Sequence, residues 1–415
     1  MKSKFKAFTI VEFLIAVGVV ALMIFGIIVI INPREGMRNI RDTIRLSDLT
    51  SLEADISKMV IETGESVDLD GPYNHNTCYG ESNQTIYLSL VDPTSSSCQG
   101  LINKGELSPP PPGWKYHCVI SEGHLRDING QGWIPLDFFK YVPTPLSGLP
   151  VDPVNSAKQN LYYEYICHQG NGFELNLSRF ESEKFVTQCR MDGGDDPYVY
   201  ERGMNLNLFP LSRDVIACYR FDESKEQVAV DSSEYKNHGT LFNTLDFIAG
   251  KFETALNLDG IDSYALVSEF IIPESGNFTI SFWIYPFDKP GRCFMSMVDK
   301  NGQEILSCFR KSINFILGVE HKQIVYPEIP ALKWTYFVLQ RKGNHFYVYI
   351  NGKLKGTIKL SSPLKAKYLL IGASPKPKFF PPQAENYFYG LIDEFRIYNT
   401  VLSPEKIRYN YLIGR

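Results

Sequence analysis

Glu12 is a carboxylate placed where water should be scarce. It interrupts an apolar run from Phe8 to Ile31 that otherwise holds only Thr9 and two glycines as exceptions. A carboxylate inside hydrocarbon costs on the order of 2.5–3.5 kcal/mol on insertion scales, so a cationic partner is required. The small residue Ala7 stands just before the run. Cleavage after Ala7 would free an α-amine on Phe8. On a neighbouring subunit, that amine would pair with Glu12 and set the register of assembly. A plain signal anchor with an incidental acid is the alternative.

Other residues have the type for cation or ligand binding. Asp192, Asp195 and Asp196 lie on a Gly-rich turn between Met191 and Pro197. Ca²⁺ accepts such flexible oxygen ligands, although the spacing is not that of an EF-hand. A solvated acidic turn is the alternative. Asp259 and Asp262 flank Gly260-Ile261 and either supply oxygen ligands or serve a backbone turn. Lys376, Lys378, Phe379 and Phe380, within Pro375 to Pro382, read as an exposed loop with apolar content and positive charge, suited to a ligand. The same loop could instead cover an edge strand. Gly-x-Ser-x-Gly, His-Glu-x-x-His and P-loop motifs are absent, which argues against the common hydrolase and nucleotide chemistries. The 8 cysteines include no Cys-x-x-Cys pair, which excludes a zinc ribbon or a thioredoxin motif. Their even number and wide spacing suit an exported protein with disulfides, the alternative being a set of small buried hydrophobes.

The elements that must position these groups follow from length and pattern. A chain of 415 residues calls for two or three domains. With 44% hydrophobic and 21% charged residues, wholesale disorder is excluded. A net charge of -4 leaves no basic field for nucleic acid. Lys2, Lys4 and Lys6 precede the apolar run, which is long enough for a membrane helix. No small-residue cleavage site follows it. Residues 1–7 are therefore a leader, 8–31 a transmembrane helix and 32–64 an amphipathic continuation. Ile40, Ile44, Leu49, Leu52, Ile56, Met59 and Val60 form the apolar stripe of that continuation.

Residues 65–205 read as a loop-rich head with short strands. In it, Leu161 to Cys167 and Gly172 to Leu177 form an antiparallel pair. After a linker at 206–213, residues 214–412 alternate short strands with turns, which calls for a sandwich. Asn351-Gly352 is a hairpin signal, because both residues accept positive φ. Ser403-Pro404 starts a helix. Trp283 and Trp334 sit in strand patterns and belong to a core. A hairpin loop centred near Asn301 sets Cys293 opposite Cys308, so a disulfide is expected there. The remaining cysteines, Cys78, Cys98, Cys118, Cys167, Cys189 and Cys218, stay unassigned.

The segment KAFTIVEFLIAVGVVALM resembles the N-termini of type IV pilins and type II secretion pseudopilins. That resemblance implies cleavage by a prepilin peptidase between Ala7 and Phe8, N-methylation of Phe8, and Glu12 as the acid that guides assembly. Ala7 departs from the usual Gly, which implies slower cleavage. Pro150-Val151-Asp152-Pro153 before Leu161-Tyr162-Tyr163 resembles the heads of major pseudopilins. Some pseudopilin heads bind calcium in the region of the 191–197 turn, and Asp152 is a further metal candidate.

Further along, DVIACYRFDES, DSSEYKNHGTL, AGKFETALNLDGIDSYALV, FTISFWIYP, KWTYFVLQR, FYVYINGKLKG and IDEFRIYNTVLSPEKI occur in order. Together they resemble concanavalin A-like (laminin-G-like) jelly rolls. That resemblance implies two packed antiparallel sheets and a structural Ca²⁺ with Asp393 among its ligands. The superfamily's hydrolases carry Glu-x-Asp-x-x-Glu on one strand, and this chain lacks it, so a binder rather than an enzyme is expected.

The fold class is accordingly α+β: a long N-terminal helix, a small pilin-like head and an all-β jelly roll. The implied function is a minor or tip pilin-like subunit displaying a lectin-like domain for adhesion to glycan or protein. Its partners would be the membrane through a single pass, other pilin or pseudopilin subunits, the prepilin peptidase and a surface ligand, with no nucleic acid. Its place would be the bacterial cytoplasmic membrane, with the C-terminal domains outside, and then a pilus or the cell surface. A structural pseudopilin that recruits secreted cargo and a surface-tethered glycoside hydrolase are the alternatives.

Overall fold

The computed structural model describes residues 10–414, apart from 12, 21–32, 64–66, 75, 142–145, 169–171, 195, 212–213, 224–226, 244–246, 269–275, 288–291 and 377–381. Ala7, Phe8 and Glu12 lie outside the described residues. Residues 10, 11 and 13–20 are helical, and their large apolar side chains face outward, with Ile10 77% and Leu14 63% exposed. Among the described residues, no helix is long and apolar enough to cross a membrane.

The long helix, Pro33–Thr63, opens on a proline, whose missing N–H is no loss in a first turn. Leu49, Leu52, Ile56, Met59 and Val60 are buried at the three-to-four-residue spacing expected of one helix face. Ile40 and Ile44 depart from the expected stripe and are exposed. One and two turns before Leu49, the buried face is instead ionic. It carries Arg45 and Asp42, both fully buried. Ile40 and Ile44 lie on a different face, which also bears the exposed Met37.

That helix packs on a five-stranded sheet. The strand order is Lys115–Val119, Thr85–Val91, Tyr163–His168, Gly172–Leu177, Tyr200–Gly203. The first pair is parallel and the others antiparallel. Side chains alternate across a strand. Tyr163, Tyr165, Cys167, Phe173, Leu175 and Leu177 face the helix. Glu164, Ile166, Glu174 and Asn176 therefore point to the other side. Disulfides Cys78–Cys167 and Cys98–Cys118 tie the flanking loops to this sheet.

From Val215 onward two eight-stranded sheets face each other. In the first, Tyr389–Tyr398 is central. It pairs with Phe278–Pro286 on one side and Thr254–Asp259 on the other, and Val215–Tyr219 pairs with its C-terminal end. In the second, Cys293–Val298 pairs with Glu304–Phe309 and Tyr368–Ile371. Phe282, Phe294, Phe337 and Phe395 fill the space between the sheets. The Asn351-Gly352 turn takes φ of 51° and 72°, as its hairpin requires. The last helix, Pro404–Ile413, is capped by the Ser403 hydroxyl, which accepts from the Lys406 N–H.

The expected Cys293–Cys308 disulfide is not formed; both thiols are free and buried. Val298 does face Glu304. Bulges beyond that pair then shift the ladder, so that Cys308 faces Met295 and Cys293 faces Phe309. Burial also pushes the Cys293 and Cys308 thiols upward in pKa, so they resist alkylation. In denatured, unreduced protein, Cys189, Cys218, Cys293 and Cys308 are expected to label with iodoacetamide, and the other cysteines are not. Peptide mass mapping reads the result, and unlabelled Cys293 and Cys308 would contradict it.

Candidate functional site: the cleft between head and jelly roll

The outer face of the first jelly-roll sheet is covered, and the head supplies part of the cover. Trp283, Tyr336, Val338 and Tyr349 rise from the sheet. Ile407, Tyr409 and Ile413 come from the last helix, and Val186 and Tyr198 from the head. Trp283 is buried here, under the last helix and outside the space between the sheets; Trp334 is half-buried against the same cluster. The Tyr409 hydroxyl accepts from the Phe180 N–H at 3.1 Å. Arg396 reaches across to Asp196, with Nη2 3.0 Å from Oδ1, and also holds Glu394 at 2.9 Å. The Arg396 guanidinium lies 4.3 Å from the Tyr198 ring centroid, a cation–π contact.

Beside this contact a cleft of about 460 Å³ separates the two domains. The head contributes a row of polar residues across three neighbouring strands. Glu164 pairs with Asn176, and Asn176 pairs with Glu201. All three line the cleft, together with Tyr116, Tyr162 and Tyr198. Tyr398, Lys406 and Asn410 line it from the jelly-roll side. Burial, reinforced by the Glu174 charge, pushes the Glu164 carboxyl up to about 8. Glu164 is therefore mostly uncharged at neutral pH.

Several cleft groups have unused hydrogen-bonding capacity. Asn176, 1% exposed, has a partner for neither its amide nitrogen nor its amide oxygen. The Tyr198 hydroxyl and the Asn410 side-chain oxygen are likewise buried without partners, as is Nε of Arg179. A buried polar atom without a partner costs ~1–3 kcal/mol, so their convergence on one cleft calls for a reason.

Several of the residues expected to hold a cation are otherwise employed. Asp152 grips Arg45 with both oxygens, at 2.6 and 2.9 Å. Asp192 accepts the Gly194 and Glu201 N–H groups and closes its own turn. Asp196 is committed to Arg396; Asp195 lies outside the described residues. Asp259 accepts from Ser263 Oγ and the Ile261 N–H, the backbone reading of that turn, and Asp262 is exposed beside it. Asp393 takes the Lys251 and Phe252 N–H groups on one oxygen, and its other oxygen is buried without a partner. Among the described residues, no three His, Cys, Asp or Glu side chains gather into a metal cage.

Lys376 is exposed just after the small antiparallel pair formed by Ser374–Pro375 and Ala384–Glu385. Ala384 packs with Tyr264, Leu370, Phe242 and Tyr387 on the outer face of the second sheet. This places Lys376 on the opposite side of the sandwich from the cleft. Phe379, Phe380 and Lys378 lie outside the described residues. Apart from Asp196, which was expected to hold a cation, the cleft residues were not anticipated from sequence. Their one signal is the acid and amide at alternate positions of Tyr163-Glu164-Tyr165 and Leu175-Asn176-Leu177, in strands flanked by apolar residues.

Residues 259–408 match a sequence family described as the concanavalin A-like lectin/glucanases superfamily. No curated protein sequence matches the chain. Among solved structures, domain 4 of AbnA, a GH43 extracellular arabinanase from Geobacillus stearothermophilus, in complex with arabinotriose, is 21% identical. That match covers 47% of this chain and 97% of the other, at a TM-score of 0.37. The binding domain of botulinum neurotoxin serotype D is 19% identical, covering 48% of this chain and 51% of that one, at a TM-score of 0.38. A Trypanosoma rangeli sialidase in complex with the inhibitor DANA is 12% identical, covering 48% and 32%, at a TM-score of 0.36. The β half of this chain thus contains a concanavalin A-like jelly-roll domain.

Proposed function

We propose that this chain is a minor or tip pilin-like subunit of a type IV pilus or pseudopilus, and that its jelly roll binds a glycan or protein on another surface. The observation that carries the reading is the division of labour among the N-terminal helical residues. From Leu49 to Val60 its apolar side chains are buried in the head, whereas Met37, Ile40, Ile44 and those of residues 10–20 are exposed. An exposed apolar face of that extent suits a membrane or neighbouring helices. Two disulfides in the head favour an oxidising compartment outside the cytoplasm.

Binding is favoured over hydrolysis. The adjacent acids of the long jelly-roll strand are buried and engaged, Asp393 by two backbone N–H groups on one of its oxygens and Glu394 by Arg396. A retaining glycosidase needs two carboxyl groups free to work across one sugar bond. On this reading the jelly roll lies outside the cytoplasmic membrane and then on the pilus or cell surface.

The test is mass spectrometry of the mature chain from cells that express a prepilin peptidase. The expected N-terminus is N-methylated Phe8. A chain that retains its first seven residues, or one cut elsewhere, overturns the reading.

A further inference from the structure

We propose that the cleft between the head and the jelly roll is a saccharide subsite, taking one or two rings of a neutral glycan. This rests on the adhesive reading above and narrows it to a ligand class and a place. A cleft of about 460 Å³ falls within the range of ~300–1,000 Å³ typical of small-ligand sites.

The groups without protein partners are a side-chain amide, a phenol hydroxyl, an amide oxygen and one guanidinium nitrogen, on Asn176, Tyr198, Asn410 and Arg179. Three of these four are uncharged. The set contains both donors and acceptors, and sugar hydroxyls supply both in return. Asp196 and Arg396 neutralise each other, and Glu164 is mostly uncharged at neutral pH. The other charged groups on the lining, Glu106, Glu201 and Asp214 against Lys158, Arg179 and Lys406, are equal in number, so the cleft carries no marked excess of one sign that would select for an ion. Tyr116, Tyr162 and Tyr398 add ring surface, the amphipathic kind of contact that suits a saccharide. The opposite side of the sandwich, around Lys376, is the competing location.

The experiment uses the full chain in detergent micelles on an array of immobilised neutral di- and trisaccharides of glucose, galactose, mannose and N-acetylglucosamine. Retention of at least one is expected. Tyr198→Phe and Asn176→Leu should each weaken that binding by about tenfold or more. Neither should lower the melting temperature, because the deleted groups have no partner in the protein. Hydrogen exchange with the retained sugar should show protection at 160–164 and 174–178, a readout that survives any folding defect in the variants.

Unchanged affinity in both variants, or protection confined to 374–385, overturns the cleft as the site while leaving the adhesive reading intact. An array that retains nothing overturns the saccharide assignment. If Phe8 is nonetheless methylated, the pilin-like reading stands without it.

Discussion

Replacing Arg45 with methionine is expected to destabilise the head by ~3–5 kcal/mol, because it leaves carboxylates buried without their cation. Arg45 and Asp42 are fully buried on the long helix, and Asp152 is 2% exposed on the facing loop. The guanidinium holds Asp152 with two nitrogens. It also donates to Asp42 at 2.7 Å and to Glu181 at 2.8 Å. Arg41 takes both oxygens of Glu181 in turn. Asp42 accepts the Glu181 and Ser182 N–H groups, so the network locks loop to helix. Denaturant unfolding reads the loss, and a change below about 1 kcal/mol would show the cluster to be incidental.

The same network carries a pH signature. Burial alone raises the Glu181 pKa, but hydrogen bonds from Arg41 and Arg45 outweigh it and bring the carboxyl down to about 2. Its folded value is therefore below the ordinary value of ~4.3. The stability it contributes is present above that ordinary value and is lost as the pH falls toward 2. Asp42 works in the opposite sense, since burial raises its pKa despite its hydrogen bonds. The Arg45→Met protein should accordingly lose less stability than the wild type between pH 4.5 and 2.

Removing the Cys78–Cys167 disulfide, as Cys78→Ala with Cys167→Ala, should cost the head about 4.6 kcal/mol on a chain-entropy estimate. The bond joins residues 89 apart in sequence. It thereby restrains most of the unfolded head. Cys98–Cys118 spans only 20 residues, and its removal should cost about 3.3 kcal/mol on the same basis. Melting curves of the two double variants, set beside the wild type, decide the order. A larger loss from the shorter loop would mean that native packing around the sulfurs, rather than loop closure, sets the contribution.

Both predictions concern how the jelly roll is presented. The helix is bound to the head by buried ions and by its apolar stripe. The head is bound to the jelly roll through Asp196–Arg396, Phe180–Tyr409 and the aromatic cluster around Trp283. A load or a ligand at one end is therefore met by packed contacts along the whole chain of elements rather than by a loose linker.

Local pattern was enough to read much of this architecture. The alternation in 161–177, the Asn351-Gly352 turn, the Ser403 cap and the apolar spacing from Leu49 to Val60 all depend on neighbours within a few residues. Such signals survive in the linear chain because backbone geometry enforces them. The order of the jelly-roll segments belongs to the same class of information. Three-dimensional structure settled the rest, through contacts between elements distant in sequence and through irregularities of pairing that counting along the chain does not reveal. Asp152 reads as a metal ligand until Arg45, from another element, arrives beside it. Ile40 and Ile44 read as core until the helix is rotated to bury Asp42 and Arg45 instead. Cys293 and Cys308 read as a pair until bulges shift the ladder. The cleft exists only where the head sheet and the last helix meet, so Asn176, Tyr198 and Asn410 share no signature along the chain.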